Sequence, residues 1–213
     1  MLWFDFAELQ GDTVYDLSGN GNHGTIYNCE WRRGHLVGSL YFNGTDAYVR
    51  VPTAPSIQNF TSLSIEMLIK APVTEHAVDY LDYGYFVDPY GILFESAVGG
   101  ISYIAVFVRN TSGDATHIRI YFTPNEWTLI TATYDGTKIR GYKNGTLQDQ
   151  SPFSGTLACS SHDLFLGCRH SYINYFDGLI AHVRIYNRAL SEREIKAHAN
   201  YLLQKYIAHP PFI

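Results

Sequence analysis

Phe176 to Ile195 reads FDGLIAHVRIYNRALSEREI. An aromatic-Asp-Gly turn leads into a long apolar strand, Leu179 to Tyr186, rich in β-branched and aromatic residues. Asn187-Arg188 makes a polar turn, and a helix begins near Ser191. Ser191-Glu-Arg-Glu194 is a capping box, in which a hydroxyl and a carboxylate satisfy backbone N–H groups that a first helical turn leaves without partners. Ile195, Ala199, Leu202, Leu203 and Tyr206 continue as an apolar stripe at helical spacing. Pro210 and Pro211 stop any continuation. The pattern predicts one short C-terminal helix over about 191–206.

Away from this stretch, strand signals dominate. Ser62 to Lys70 alternates, with Leu63, Ile65, Met67 and Ile69 on one face. Ile101 to Val108 is a long apolar run, and Thr116 to Phe122 puts Ile118, Ile120 and Phe122 on one side. Trp127 to Tyr134 and Lys138 to Lys143 are joined by the tight turn Asp135-Gly136, and Asn144-Gly145 turns the chain again. Short strands at regular spacing, punctuated by Gly and Asn, indicate a sandwich or barrel. The chain has 213 residues and no repeat, linker or low-complexity tract, so one domain over 1–213 is the economical reading. It is 46% hydrophobic and 16% charged, enough to bury a core, which excludes a disordered chain.

The net charge of −5 and the lack of a Lys/Arg run exclude nucleic acid and anionic membrane as partners on electrostatic grounds. No apolar run reaches the roughly 18 residues needed to span a bilayer. The opening MLWFDFAELQG lacks the basic and apolar regions of a signal peptide. The expectation is a domain cut from a longer secreted protein, or a small intracellular or viral product. Of three cysteines, Cys159 and Cys168 either bridge neighbouring strand ends or are simple buried thiols, and Cys29 is left over. Sequons begin at Asn43, Asn59, Asn110 and Asn144; Asn43-Gly44 and Asn144-Gly145 are equally hairpin dipeptides, which turn chemistry explains without a glycan.

Several segments, in order, resemble the laminin-G-like jelly rolls of the concanavalin A-like superfamily. Asp16-Leu-Ser-Gly-Asn-Gly-Asn-His-Gly24 resembles the N-terminal loop D-x-S-G-N-G-N-x-G, and Leu40 to Val49 resembles L-x-F-D-G-x-D-D-Y-V. Trp127 to Gly145 resembles the core hairpins W-x-x-v-A-x-T-Y-D-G … l-Y-v-N-G, and Phe165-Leu-Gly167 with the terminal stretch completes the series. The resemblance implies an all-β fold, an antiparallel jelly-roll β-sandwich of two sheets with the short C-terminal helix attached. It also implies a binding role more often than a catalytic one, and in many members a structural calcium held by Asp side chains and loop carbonyls. The family's acidic pair in G-x-I-D-D/E-V-R-I-Y is here Ala181-His182. Asp46 and Asp177 remain: either they supply hard-oxygen ligands to Ca2+, or Asp46 shapes its hairpin and Asp177 a strand-entry turn. In the Asp16–Gly24 loop, Asn20-Gly21 and Asn22 are expected to supply the positive φ angles of tight turns, a structural role.

The superfamily includes polysaccharide hydrolases and lyases, and a glycosidase needs two carboxylates across the scissile bond. On a strand these would lie at even spacing. Glu66 has Ser64 and Leu68 there, and Glu95 also stands alone. H-E-x-x-H, G-x-S-x-G and phosphate-binding glycine loops are missing. No catalytic residue is assigned, and the expectation is a non-enzyme. The nine histidines are scattered without helical ligand spacing and are expected to be hydrogen-bonded packing residues.

His76 to Gly91, HAVDYLDYGYFVDPYG, concentrates Tyr80, Tyr83, Tyr85 and Tyr90 with Asp79 and Asp82 in loop-like sequence. A sugar ring offers an apolar C–H face and a hydroxyl rim, which Tyr platforms and carboxylate acceptors complement. The alternative is a flap whose aromatics pack on the sheet. Arg169 to Phe176 holds a second cluster, with Tyr172 and Tyr175 expected near a loop tip. These residues are the candidate ligand contacts. The expected function is recognition of a carbohydrate or a surface protein at an extracellular or particle surface. The alternatives are a virion or cell-surface component docking through a sheet face and, more weakly, a polysaccharide hydrolase or lyase.

Overall fold

Alternating apolar residues need two surfaces to be buried against one another, and the chain supplies them as two antiparallel sheets. The computed structural model describes residues 1–33, 38–58, 60–73, 78–82, 91–96, 103–157 and 162–207. Its strands run in chain order: β1 (Leu2–Phe4), β2 (Thr13–Val14), β3 (Gly24–Tyr27), β4 (Glu30–Arg33), β5 (Gly38–Asn43), β6 (Tyr48–Val51), β7 (Leu63–Lys70) and β8 (Asp79–Asp82). They continue as β9 (Gly91–Ser96), β10 (Tyr103–Arg109), β11 (Ala115–Tyr121), β12 (Thr128–Tyr134), β13 (Lys138–Lys143), β14 (Thr146–Pro152), β15 (Leu164–Leu166) and β16 (Asp177–Tyr186), followed by helix α1 (Glu192–Ile207). One sheet has the order β14-β13-β12-β7-β16-β5-β4, with β1 also paired to β16. The other has the order β11-β10-β9-β8-β15-β6-β3-β2. This is a jelly-roll β-sandwich.

The expected strands appear close to their expected bounds. Leu63, Ile65, Met67 and Ile69 of β7 meet Ile118, Ile120 and Phe122 from the opposite sheet in one core, which also holds Phe4, Phe42 and Phe176. Two expectations need correction. Asp79 and Asp82 lie on strand β8 and not in a loop, because β15 and β9 flank the segment and complete its ladder. In the Asp16–Gly24 loop, Gly19 (φ 83°) and Gly21 (φ 72°) carry the positive angles, while Asn20 and Asn22 donate their side-chain amides to the Met1 carbonyl. The loop is organised by Asp16, whose carboxylate accepts from the backbone N–H of Trp3, Ser18 and Asn22. Of the three cysteines, Cys29 is partly buried, Cys168 is fully buried and Cys159 lies outside the described residues.

The capping box forms as read: the Ser191 Oγ accepts from the Glu194 N–H at 3.3 Å, and the Glu194 carboxylate accepts from the Ser191 N–H at 2.9 Å. Its apolar stripe covers the outer face of the first sheet, where Ala199 and Leu202 pack on Leu68, Leu129 and Ala181. That cover explains why both faces of β7 are buried. Glu66 is fully buried beneath the helix, where its carboxylate meets His198 Nδ1 at 2.9 Å and accepts from the Tyr186 hydroxyl at 3.2 Å. Register in β16 slips between Ile180 and His182. This bulge leaves Ala181 packed with the helix-side cluster while Ile180 and Val183 stay in the core.

Candidate functional site

On β3 and β6 the alternation is clean: Ile26, Val49 and Val51 point into the core, while Tyr27, Tyr48 and Arg50 take the outward positions. Register then sets Tyr27 directly opposite Tyr48. Their rings stack with centroids 4.5 Å apart and planes 15° from parallel. β15 runs on the other side of β6 and places Phe165 opposite Arg50. Phe165 reaches the Tyr48 ring at 6.0 Å.

The loop after β15 closes the cluster. It leaves the sheet at Gly167 (φ 85°), where an added Cβ would lie 2.3 Å from the Phe42 ring, so only glycine permits this exit. The Phe176 N–H donates to the Gly167 carbonyl at 2.8 Å and pins the loop base. At the tip Tyr172 adopts φ 58°, and its N–H donates to the Arg169 carbonyl at 2.8 Å. Its ring lies edge-on to Tyr48 at 5.5 Å and to Phe165 at 5.7 Å. Tyr172 is 48% exposed and Tyr27 37% exposed. Tyr175 is half-buried beside them. Burial, and then the neighbouring Tyr172 and Tyr27, push the Tyr48 hydroxyl up to about 12, so it stays a neutral donor and acceptor. The result is an amphipathic surface of rings and hydroxyls on three strands and one tied loop.

Polar groups frame it. Arg50 is ion-paired with Asp163, and the other Asp163 oxygen accepts from the Thr53 N–H. Asp82, expected among the ligand contacts, is fully buried: its carboxylate accepts from the His170 backbone N–H at 2.8 Å and meets His170 Nδ1 at 2.7 Å. It thereby ties the Tyr172 loop to β8. His170 in turn stacks on His162 at 4.7 Å, and its Nε2 has no hydrogen-bond partner among the described residues. Asp79 and Tyr80 lie on β8, next to β15; Tyr83, Tyr85 and Tyr90 lie outside the described residues. Sequence reasoning missed Tyr27, Tyr48, Phe165 and Arg50. The outward positions of β3 and β6 carry the signal, but only register reveals that Tyr27 and Tyr48 touch.

Asp46 and Asp177 both border the Asn43-Gly44 hairpin. The two Asp46 oxygens accept from the Asn43 and Asn28 side-chain amides at 2.8 and 2.9 Å, and Asp177 Oδ1 accepts from the Tyr41 hydroxyl at 3.1 Å. Both carboxylates are thus engaged in hydrogen bonds around the hairpin. Among the described residues no three His, Cys, Asp or Glu side chains are grouped to hold a metal. These hydrogen bonds fit the structural alternative, in which Asp46 shapes its hairpin and Asp177 the strand entry.

The family model described as the concanavalin A-like lectin/glucanases superfamily, laminin G type, matches residues 43–196. The chain belongs to this superfamily. Solved structures of similar shape include two toxin binding domains and one domain of an arabinanase. The binding domain of botulinum neurotoxin serotype G superposes with a TM-score of 0.76 at 14% identity, over 94% of this chain and 50% of that one. The binding domain of Paraclostridial Mosquitocidal Protein 1 gives 0.76 at 17% identity, over 95% and 52%. Domain 4 of the extracellular arabinanase AbnA from Geobacillus stearothermophilus, solved with arabinotriose, gives 0.72 at 18% identity, over 93% and 97%. This chain thus spans about half of the toxin binding domains and nearly all of the arabinanase domain. No curated protein matches it. At these identities the likeness is one of fold.

Proposed function

We propose that this lectin-like domain is a non-catalytic carbohydrate-recognition module acting at an extracellular or particle surface, and that the Tyr27–Tyr48–Phe165–Tyr172 face is where the sugar binds. One observation carries the reading: the rings of Tyr27, Tyr48 and Tyr172 meet on the outward side of the sheet around the buried Phe165, with Tyr27 and Tyr172 open to solvent. A pyranose or furanose stacks its C–H face on such rings, and Arg50, His162 and the tyrosine hydroxyls serve its oxygens. Two structures of similar shape were solved as complexes, the arabinanase domain with arabinotriose and a botulinum neurotoxin binding domain with SialylT, this chain covering 51% of the latter.

Among the described side chains, the engagement of the acids around the face supports a binding role over hydrolysis. Asp82 is committed to His170, Asp163 to Arg50 and Thr53, and Asp46 to two amides. A glycosidase needs a carboxylic acid free to protonate the leaving oxygen and a second opposite it.

A glycan array including arabino-oligosaccharides and sialylated glycans, run with and without a chelator, tests the proposal. The intact chain should retain a defined subset of glycans in both conditions. Tyr172→Ala, at an exposed loop tip, should weaken retention about tenfold, the scale of one lost ring contact, while the melting transition stays in place. A blank array under both conditions contradicts the carbohydrate reading, and loss of binding with chelator alone would reinstate calcium at Asp46 and Asp177.

A further inference from the structure

The helix side of the first sheet holds a cavity of about 540 Å³ that the aromatic face does not use. It lies between α1 and the pair β1–β16, lined by Trp3, His182 and Arg184 on the sheet and by Tyr201, Leu202 and Lys205 on the helix. Its volume is in the range of small-molecule sites.

The sheet wall is short of acceptors. Trp3 Nε1, Arg184 Nε and His182 Nε2 are all buried without a hydrogen-bond partner among the described residues. The first two are donors only, whatever the protonation state of the protein. Native structures pair nearly all such groups, so two donors on one cavity wall, with the His182 nitrogen beside them, point to a partner that brings acceptors. Arg184 is held in place by neighbours that take none of this capacity at Nε: its Cζ lies 4.3 Å over the Trp3 ring, and its Nη1 donates to the Tyr186 hydroxyl at 3.3 Å.

The field has a sign. Burial, and then the charges of Arg184, His198 and Lys205 acting in one sense, hold the His182 imidazole well below its ordinary value. Two acids face this region, Glu66 and Asp5, and the charge of Asp5 acts on the Tyr206 side of the cavity. Glu66 is taken by His198 and Tyr186, and Asp5 accepts from the Ala7 N–H. Tyr206, on the helix, spends its hydroxyl on the Gly38 and Ala181 carbonyls, which leaves its ring and Leu202 as apolar wall.

We propose that this cavity is a second binding site, independent of the aromatic face, for a small organic carboxylate: the carboxylate is received by Arg184, His182 and Trp3 with Lys205 near the mouth, and the ring or chain lies against α1.

Isothermal titration calorimetry of the full chain tests it, with sodium benzoate and sodium glucuronate as probes and benzyl alcohol and glucose as their neutral counterparts. At least one carboxylate should bind saturably with a Kd on the order of 1 mM or tighter, and at least tenfold better than its neutral counterpart, as a charge-assisted contact requires. Arg184→Gln should abolish that preference. If Arg184→Gln does not fold, Lys205→Ala, on the open side of the helix, should weaken the carboxylate by about threefold or more and leave the neutral probe unchanged. Absence of saturable binding by both carboxylates up to about 50 mM overturns the proposal, that limit being far above the expected Kd. So does equal binding of charged and neutral probes, or carboxylate binding indifferent to Lys205→Ala.

Discussion

Asp16 shows how much of a loop one residue can hold. It is 7% exposed, and besides three backbone N–H groups its carboxylate accepts from the Ser18 hydroxyl at 2.8 Å. Burial alone would raise its pKa, but these hydrogen bonds outweigh it and hold the group below the ordinary carboxylate value. A depressed carboxylate contributes stability above the ordinary pKa and loses it as pH falls through the lower, folded value. Asp16→Asn should therefore cost about 2 kcal/mol at pH 7, since hydrogen bonds to a charged acceptor are worth about 1.5–3 kcal/mol. The gap in urea midpoint between the two proteins should narrow below about pH 4; a gap constant down to pH 2 would remove the carboxylate from the account. The sequence read this loop as structural from its Asn and Gly residues, but the organising acid and the glycines that bear the strain became visible only in the fold. The sequons follow the same logic. Asn110 is buried, and its amide donates to Asp114 and Ser154, so the amide nitrogen that a glycan would occupy is already used for turn formation.

Elements were legible where one physical signal set them. Strand alternation, the Asp135-Gly136 turn and the capping box of α1 all depend on neighbours in sequence, and each formed close to its expected place. Glu194 shows the box at full strength: Arg188 grips its carboxylate at 2.7 and 3.0 Å, and with the Ser191 donors this pulls its pKa down to about 2. What α1 does to its neighbours was not legible. Glu66 reads as an outward residue on an alternating strand, yet the helix buries it and supplies His198 as its partner. His198→Ala should cost about 2–3 kcal/mol, because it strips a buried carboxylate of the imidazole that hydrogen-bonds it. Adding Glu66→Gln to that variant should restore part of the loss, and a double-mutant cycle in urea measures the coupling. Strict additivity of the two substitutions would show the contact to be without energetic weight.

At the scale of the molecule, the resemblance to laminin-G-like jelly rolls carried the fold, and two face-to-face antiparallel sheets bear it out. The candidate site was only partly legible. Tyr172 and Tyr175 were singled out as loop residues and do stand at an exposed cluster, but its centre is Tyr48. That residue, in the quoted hairpin Leu40 to Val49, carries no functional signal until strand pairing puts Tyr27, Phe165 and Tyr172 around it. Sheet order is a long-range property, and no local pattern in β3, β6 or β15 specifies that the three lie side by side. The most direct test of the account is an NMR titration of the labelled chain with a glycan retained on the array. Saturable shifts should centre on Tyr27, Tyr48, Arg50 and Tyr172, and should vanish in Tyr48→Ala if its spectrum otherwise remains that of the folded domain. Shifts centred anywhere else, with these four residues unmoved, would contradict it.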